Sequence, residues 1–266
     1  MNISKRFEGH TVLITGGGGD IGLAIAKRLA REGAAIALLD IDTRKLSLAL
    51  DTLLEINATA ESYLCDITNV TALEKTLKEI LERFGSIEML FNNAGYQGEF
   101  LPIHKQSDEE FNKVININVV GAFNVLRLVS AHMVDRQHGS IVNTASMAGV
   151  QGPPNMAAYS ASKFSVVGLT ETASKDLAPY GIRVNAISPA FVGPGFMWDR
   201  QVKLQAEVDS QYYANDPDEV ARQMIASVPM RRYGTVEEIA GAVSYLFSDD
   251  ASYITGVNIH ISGGIN

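Results

Sequence analysis

The stretch Thr11-Val12-Leu13-Ile14-Thr15-Gly16-Gly17-Gly18-Gly19-Asp20-Ile21-Gly22 decides the fold. The apolar run from His10 to Thr15 has the length and content of a buried strand. Ile21 to Glu32 follows as a helix, with Ile21, Ile25, Ala26 and Leu29 on one face. Four consecutive glycines between them sacrifice chain entropy without adding any packing. A tight turn that lets backbone approach a pyrophosphate accounts for them, because the helix start offers free N–H groups and partial positive charge there. Gly16, Gly18, Gly19, Asp20 and Ile21 are therefore the expected contacts.

Outward from this unit, short apolar runs alternate with helical patterns. Strands are expected at 34–40, 61–66, 86–91, 140–144, 183–187 and 257–261. Helices are expected at 43–56, 70–84, 108–136, 157–180 and 236–247, with a helix-rich stretch over 196–227. This alternation implies right-handed crossovers and an α/β fold, a doubly wound parallel sheet of seven strands with helices on both faces. No linker, repeat or low-complexity tract divides residues 1–266, so one domain is expected, with a lid region at about 190–228 over a ligand at the strands' carboxyl ends.

Composition is ordinary for a globular chain, with 46% hydrophobic and 20% charged residues. A formal net charge of −8 without a basic stripe argues against nucleic acid as a partner. The N-terminus lacks the apolar core of a secretory signal, and no uninterrupted apolar run is long enough for a membrane helix, so no membrane partner is expected. The single cysteine, Cys65, forms no internal disulfide and offers no metal-site spacing. A reducing, cytoplasmic setting and no metal are the expectation.

Several polar residues then fall at strand ends. Asp40 closes the second strand, eighteen residues beyond Gly22. A carboxylate there accepts the ribose hydroxyls of NAD and repels the additional phosphate of NADP. Ile41 follows it, and the nearest arginine is Arg44. Asp66 closes the third strand, next to Ile67, and is placed to accept from an adenine amino group. Asn92-Asn93-Ala94-Gly95 closes the fourth with small residues, and Asn92, Ala94 and Gly95 are expected beside the cofactor. Tyr159 and Lys163, spaced i, i+4, share one helix face. A phenol ordinarily titrates near 10 and is a poor base at neutral pH, whereas a nearby ammonium favours the phenolate. Ser146 lies just past the fifth strand, where its hydroxyl can hold a substrate oxygen. Asn118 interrupts a helix with an amide suited to holding a water on the way to Lys163.

In this order and spacing, the glycine turn, Asn92-Asn93-Ala94-Gly95, Asn118, Ser146, Tyr159 and Lys163 resemble the short-chain dehydrogenases/reductases over essentially the whole chain. The resemblance implies a Rossmann fold and a catalytic tetrad of Asn118, Ser146, Tyr159 and Lys163. In it Tyr159 exchanges the hydroxyl proton, Ser146 polarises the oxygen, and Lys163 lowers the tyrosine pKa and binds the nicotinamide ribose. It also implies a homotetramer built partly on the helices starting near Asp108 and Ala157. Pro189 and Val192 would meet the nicotinamide end. Two departures stand out: Asp20 replaces the family's usual glycine, where its carboxylate is expected to cap the helix with the side chain turned away, and Pro189-Ala190 and Pro194 replace the usual Pro-Gly and threonine.

The segments Phe91–Gly98, Asn143–Val150, Gly152–Tyr159, Gly193–Trp198 and Ser227–Gly234 resemble xylitol-oxidising bacterial members of the family. Ser146, Gln97, Asn155, Tyr159, Phe196 and Met197 are accordingly the expected substrate residues, with Phe196-Met197-Trp198 as a lid. The charged stretch Gln201–Glu219 reads as a solvated helix face. The expected activity is NAD-dependent oxidation of a secondary alcohol, a polyol such as xylitol, to the ketone. The alternatives are an NAD(P)H-dependent reductase of a 3-oxoacyl thioester or small ketone, and a dinucleotide-binding sensor without catalysis.

Overall fold

The computed structural model describes residues 5–266. Strands β1 (Thr11–Thr15), β2 (Ala35–Asp40), β3 (Ala60–Leu64), β4 (Met89–Asn92), β5 (Gly139–Thr144), β6 (Ile182–Pro189) and β7 (Asn258–Ile261) form one sheet in the order β3-β2-β1-β4-β5-β6-β7. Every pairing is parallel. The direction of winding reverses between β1 and β4, so the loops leaving these two strands part and open a crevice at their carboxyl ends.

Alternation along the strands feeds two cores. Val12, Ile14, Ile36 and Leu38 face α1 (Asp20–Arg31), α2 (Thr43–Glu55) and α9 (Val236–Phe247). Leu13, Ala37, Leu39 and Leu90 face α3 (Val70–Phe84) and α5 (Ala122–Arg136), the second half of a helix pair that begins with α4 (Asp108–Ile115). Burial on both faces explains why the strands read as continuous apolar runs. The 108–136 helix has a mean hydropathy of 1.5 over 18 residues, enough by length and composition to cross a membrane. Here Val125, Leu126, Val129 and Met133 are buried in the second core.

That helix is not continuous. A π-helical turn over Asn116–Gly121 separates α4 from α5. Asn118 is held inside the turn by bonds to Tyr96 and Ser162. Gly121 lets it pack closely, since a Cβ there would lie 2.7 Å from Ile67 Cγ1. Helix α6 (Ala157–Leu177) covers the same face. Beyond β6, α7 (Phe196–Glu207) and α8 (Pro217–Ser227) form a small separate cluster around Trp198, Val202, Ala206, Val220 and Met224. Residues of this cluster line a cavity together with the segments that follow β4, β5 and β6.

Candidate active site

The glycine turn is built for close approach. A Cβ on Gly22 would lie 2.3 Å from the Gly16 carbonyl oxygen, a clash with backbone that no rotamer relieves. Gly17 N–H donates to Leu39 O at 3.1 Å and Gly18 N–H to Asp40 Oδ2 at 3.0 Å. These bonds fold the turn back onto the end of β2. Helix α1 starts with Gly19 as its N-cap and no side-chain cap, and the amides of Asp20, Ile21 and Gly22 have no acceptor among the described residues. They form an anion site at the crevice.

Asp20 does not cap α1. Its exposed carboxylate reaches across to the start of α7, where a Cβ on Gly195 would lie 2.9 Å from Asp20 Oδ2. Gly195 has φ +145°, a conformation available to glycine, and it is the uncapped N-cap residue of α7. The carboxylate is thereby directed at a second helix N-terminus and away from the anion site on α1.

Asp40 is half-buried. Oδ2 accepts from Gly18 and Oδ1 from Asp42 N at 3.1 Å, which fixes the carboxylate at the crevice edge. Ile41 beside it is exposed. Asp66 is exposed, and its Oδ1 accepts from Thr68 N at 2.9 Å and Thr68 Oγ1 at 2.8 Å. Two of the expected cofactor contacts have internal roles instead. Asn92 is buried, and its amide donates to Ala122 O and Asn143 Oδ1, tying β4 to β5 and α5. Ile67 is buried against Gly121, and its carbonyl accepts from Asn124. Thr15, unremarked in the sequence, is the junction here: its Oγ1 accepts from the amides of Asn93 at 2.9 Å and Ala94 at 3.0 Å, joining the ends of β1 and β4.

Tyr159, Lys163 and Ser146 meet at the foot of the lid. Lys163 is buried and its Nζ donates to Thr144 O at 2.7 Å. The same Nζ lies 5.6 Å from the centroid of the Tyr159 ring. Burial pulls the Lys163 ammonium down to about 8. Burial pushes the Tyr159 phenol up, and a hydrogen bond from Ser146 partly opposes this. The expected pull of Lys163 on the phenol therefore does not govern it: desolvation penalises phenolate and ammonium alike, and outweighs attraction at this separation.

Asn118 also departs from expectation. Its Oδ1 accepts from Tyr96 N at 2.7 Å, and its Nδ2 donates to Tyr96 O at 2.8 Å and Ser162 Oγ at 2.9 Å. Both amide hydrogens are in use, so the side chain positions the Tyr96 loop and α6. A water near Lys163 would be held by main-chain oxygens of the π-helical turn, where the regular helical bonding is broken. Gly95 keeps this corner open, since a Cβ there would lie 3.3 Å from Asn118 Oδ1 and 3.7 Å from Lys163 Nζ.

A cavity of about 350 Å³ adjoins Ser146 and Tyr159, and Gln97 and Met197, expected at the substrate, line it together with Pro189 and Val192, expected at the nicotinamide. Asn155 and Phe196 do not. Asn155 is buried behind the wall, where its Nδ2 donates to Gln205 Oε1 at 3.0 Å and Ser210 Oγ at 3.3 Å. Phe196 is exposed, with Lys45 Nζ 5.5 Å from its ring centroid. Trp198 packs between Phe191 and Tyr233, so it anchors the lid rather than covering ligand. Gln201, Gln205 and Tyr213 line the cavity although they belong to the stretch read as solvated. The signal was present: Trp198, Val202, Gln205 and Ala206 recur at i, i+4, i+7 and i+8 and form the buried face of α7.

Comparison with known proteins places the chain among dehydrogenases and reductases. The family profile described as "Enoyl-(Acyl carrier protein) reductase" matches residues 18–266. A crystal structure of NAD+-bound xylitol dehydrogenase is 56% identical, covering 97% of this chain and 100% of its own, with a TM-score of 0.96. Levodione reductase of Leifsonia aquatica is 38% identical over 98% of this chain and 96% of that protein. A 3-oxoacyl-[acyl-carrier-protein] reductase of Thermotoga maritima is 32% identical over 98% and 99%.

The buried lysine yields a prediction with a definite sign. Its folded value of about 8 lies below its ordinary 10.5, so burying the charge destabilises the fold fully below about pH 8 and less as pH climbs from there toward 10.5. Lys163→Met is therefore expected to raise stability without added cofactor by roughly 1 kcal/mol at neutral pH. Denaturant titrations should show this margin shrinking as pH rises through 8. A variant less stable than the parent at neutral pH would contradict the dominance of desolvation.

Proposed function

The chain belongs to the short-chain dehydrogenase/reductase family and is an oxidoreductase using a nicotinamide dinucleotide, and on that premise we propose that it oxidises a polyol such as xylitol with NAD. The observation carrying this reading is the placement of Ser146 and Tyr159, with Lys163 buried behind the phenol ring, at a cavity walled by the neutral amides of Gln97, Gln201 and Gln205. The likeness to the xylitol dehydrogenase structure over nearly the whole chain supports the same substrate class.

The dinucleotide fits the crevice. The free amides of Asp20, Ile21 and Gly22 receive the pyrophosphate, and the missing side chain at Gly22 lets α1 seat directly on the Gly16 carbonyl. Asp40, held by Gly18 and Asp42, receives the ribose hydroxyls and disfavours a phosphate there. Asp66, Ala94 and Gly95 flank the adenine and ribose, while Pro189 and Val192 flank the nicotinamide. When bound, the cofactor would supply the hydride acceptor for the carbinol carbon. Tyr159 takes the hydroxyl proton, Ser146 hydrogen-bonds the same oxygen, and Lys163 hydrogen-bonds the ribose and supplies positive charge beside the phenol. The lid excludes water from this exchange.

A second reading, reduction of a 3-oxoacyl thioester or small ketone, is favoured by the relatives with those substrates in their names. The groups named above would serve it in reverse, with Tyr159 as proton donor. The enzyme is further proposed to be a cytoplasmic homotetramer. Phe123 on α5 and Phe164 on α6, 44% and 48% exposed, are apolar surface suited to such contacts. Sedimentation should give four chains' mass, and a monomer would refute the assembly.

Tyr159→Phe should lower xylitol-dependent NADH formation by at least about a thousandfold while NAD binding, read by fluorescence titration, is retained. Near-parental turnover in this variant would overturn the mechanism. Asp40→Ser should narrow the preference for NAD over NADP by about tenfold or more. An unchanged ratio of kcat/KM for the two cofactors would remove Asp40 from its role.

A further inference from the structure

Two buried glutamines in the cavity wall have one end of each amide fixed by a residue across the lid. Gln97, on the loop after β4, is 8% exposed, and its Oε1 accepts from Arg200 Nη1 of α7 at 3.1 Å. The other arm of the guanidinium donates to Gly98 O at 2.8 Å. A guanidinium only donates, so it holds Oε1 toward itself and turns Nε2 away. Gln205, on α7, is 1% exposed, and its Oε1 accepts from Asn155 Nδ2 at 3.0 Å.

Neither Nε2 has a protein acceptor among the described residues. Neither is sealed away, because the only unpartnered side-chain polar atoms fully buried there are His10 Nδ1 and Glu110 Oε1. Both residues line the cavity, which is the space a ligand oxygen would enter to reach their NH2 groups. Tyr213, whose hydroxyl has no protein partner among the described residues, lines the same wall. A buried amide with free N–H groups is costly unless a ligand oxygen completes it.

We propose that Gln205, with Gln97 and Tyr213, is a specificity-determining residue that donates hydrogen bonds to substrate oxygens remote from the reacting carbon, and that Asn155 and Arg200 are positioning residues that aim these amides. This deepens the polyol reading and rests on it for the identity of the substrate. It also gives the lid contacts a second role. The bonds docking α7 onto the body, Arg200 to Gln97 and Gly98, and Asn155 to Gln205, are the ones that orient the donors. Asn155 has φ +67°, so glycine at this position keeps the backbone conformation and removes only the amide.

The test compares kcat/KM for substrates with and without a remote oxygen. One pair is xylitol against a simple secondary alcohol, and the other is a diol with its hydroxyls three carbons apart against the matching mono-alcohol. In Gln205→Leu and in Asn155→Gly the ratio within each pair should fall by about tenfold, mostly through KM of the oxygen-rich partner. An unchanged ratio in both variants, or a loss shared equally by both members of each pair, would overturn the proposal. Should the parent enzyme ignore xylitol, the polyol reading alone fails, because the diol pair still reads the wall. Gln205→Leu and Asn155→Gly alter different elements, so misfolding of one leaves the other to decide.

Discussion

The Gly16 carbonyl leaves no room for a side chain on Gly22, and the site is arranged around that contact. It seats the first turn of α1 directly on the loop leaving β1 and keeps three amides free at the crevice. The crevice exists because the sheet reverses its winding between β1 and β4. Thr15 then ties the loop after β4 to the end of β1, so both sides of the crevice share one rigid junction. A larger residue at position 22 would disturb the anion site and the junction together.

The chemistry sits where charge is disfavoured. Tyr159 and Lys163 are both pushed toward neutrality by burial, and the protein opposes this with two hydrogen bonds, Ser146 to the phenol and Lys163 to the Thr144 carbonyl. Burial alone thus keeps the phenol protonated at neutral pH, and positive charge brought beside it by Lys163 and a bound nicotinamide is what would favour the phenolate. The neighbouring amide, Asn118, acts at one remove: it fixes the Tyr96 loop and α6, and its place in a π-helical turn disrupts the regular main-chain bonding near the lysine.

Much of this was legible in the sequence because the sheet obeys local rules. Buried parallel strands are short apolar runs, the glycine turn lies between a strand and a helix, and the i, i+4 spacing of Tyr159 and Lys163 survives in α6. What was not legible depended on long-range partners. Asn92 and Ile67 stand at strand ends like cofactor contacts, yet pair with α5 and the π-helical turn. Asn155 and Phe196 were assigned to the substrate by neighbourhood, whereas packing placed one behind the wall and the other outside it. Gln205 was hidden in a charged stretch whose apolar stripe was the only sign of its buried face. Asp20 reads in the sequence as a cap for its own helix with the side chain turned away, and in the structure it leaves that helix uncapped and faces the start of α7.

The central claim is that this cavity selects a polyol and this crevice selects NAD. The most direct test is the ratio of kcat/KM for xylitol with NAD to kcat/KM for a 3-oxoacyl thioester with NADPH, measured on the same preparation. The account predicts a ratio well above one, with xylitol preferred over simple secondary alcohols. Efficient thioester reduction with NADPH and silence toward xylitol and other polyols would contradict it.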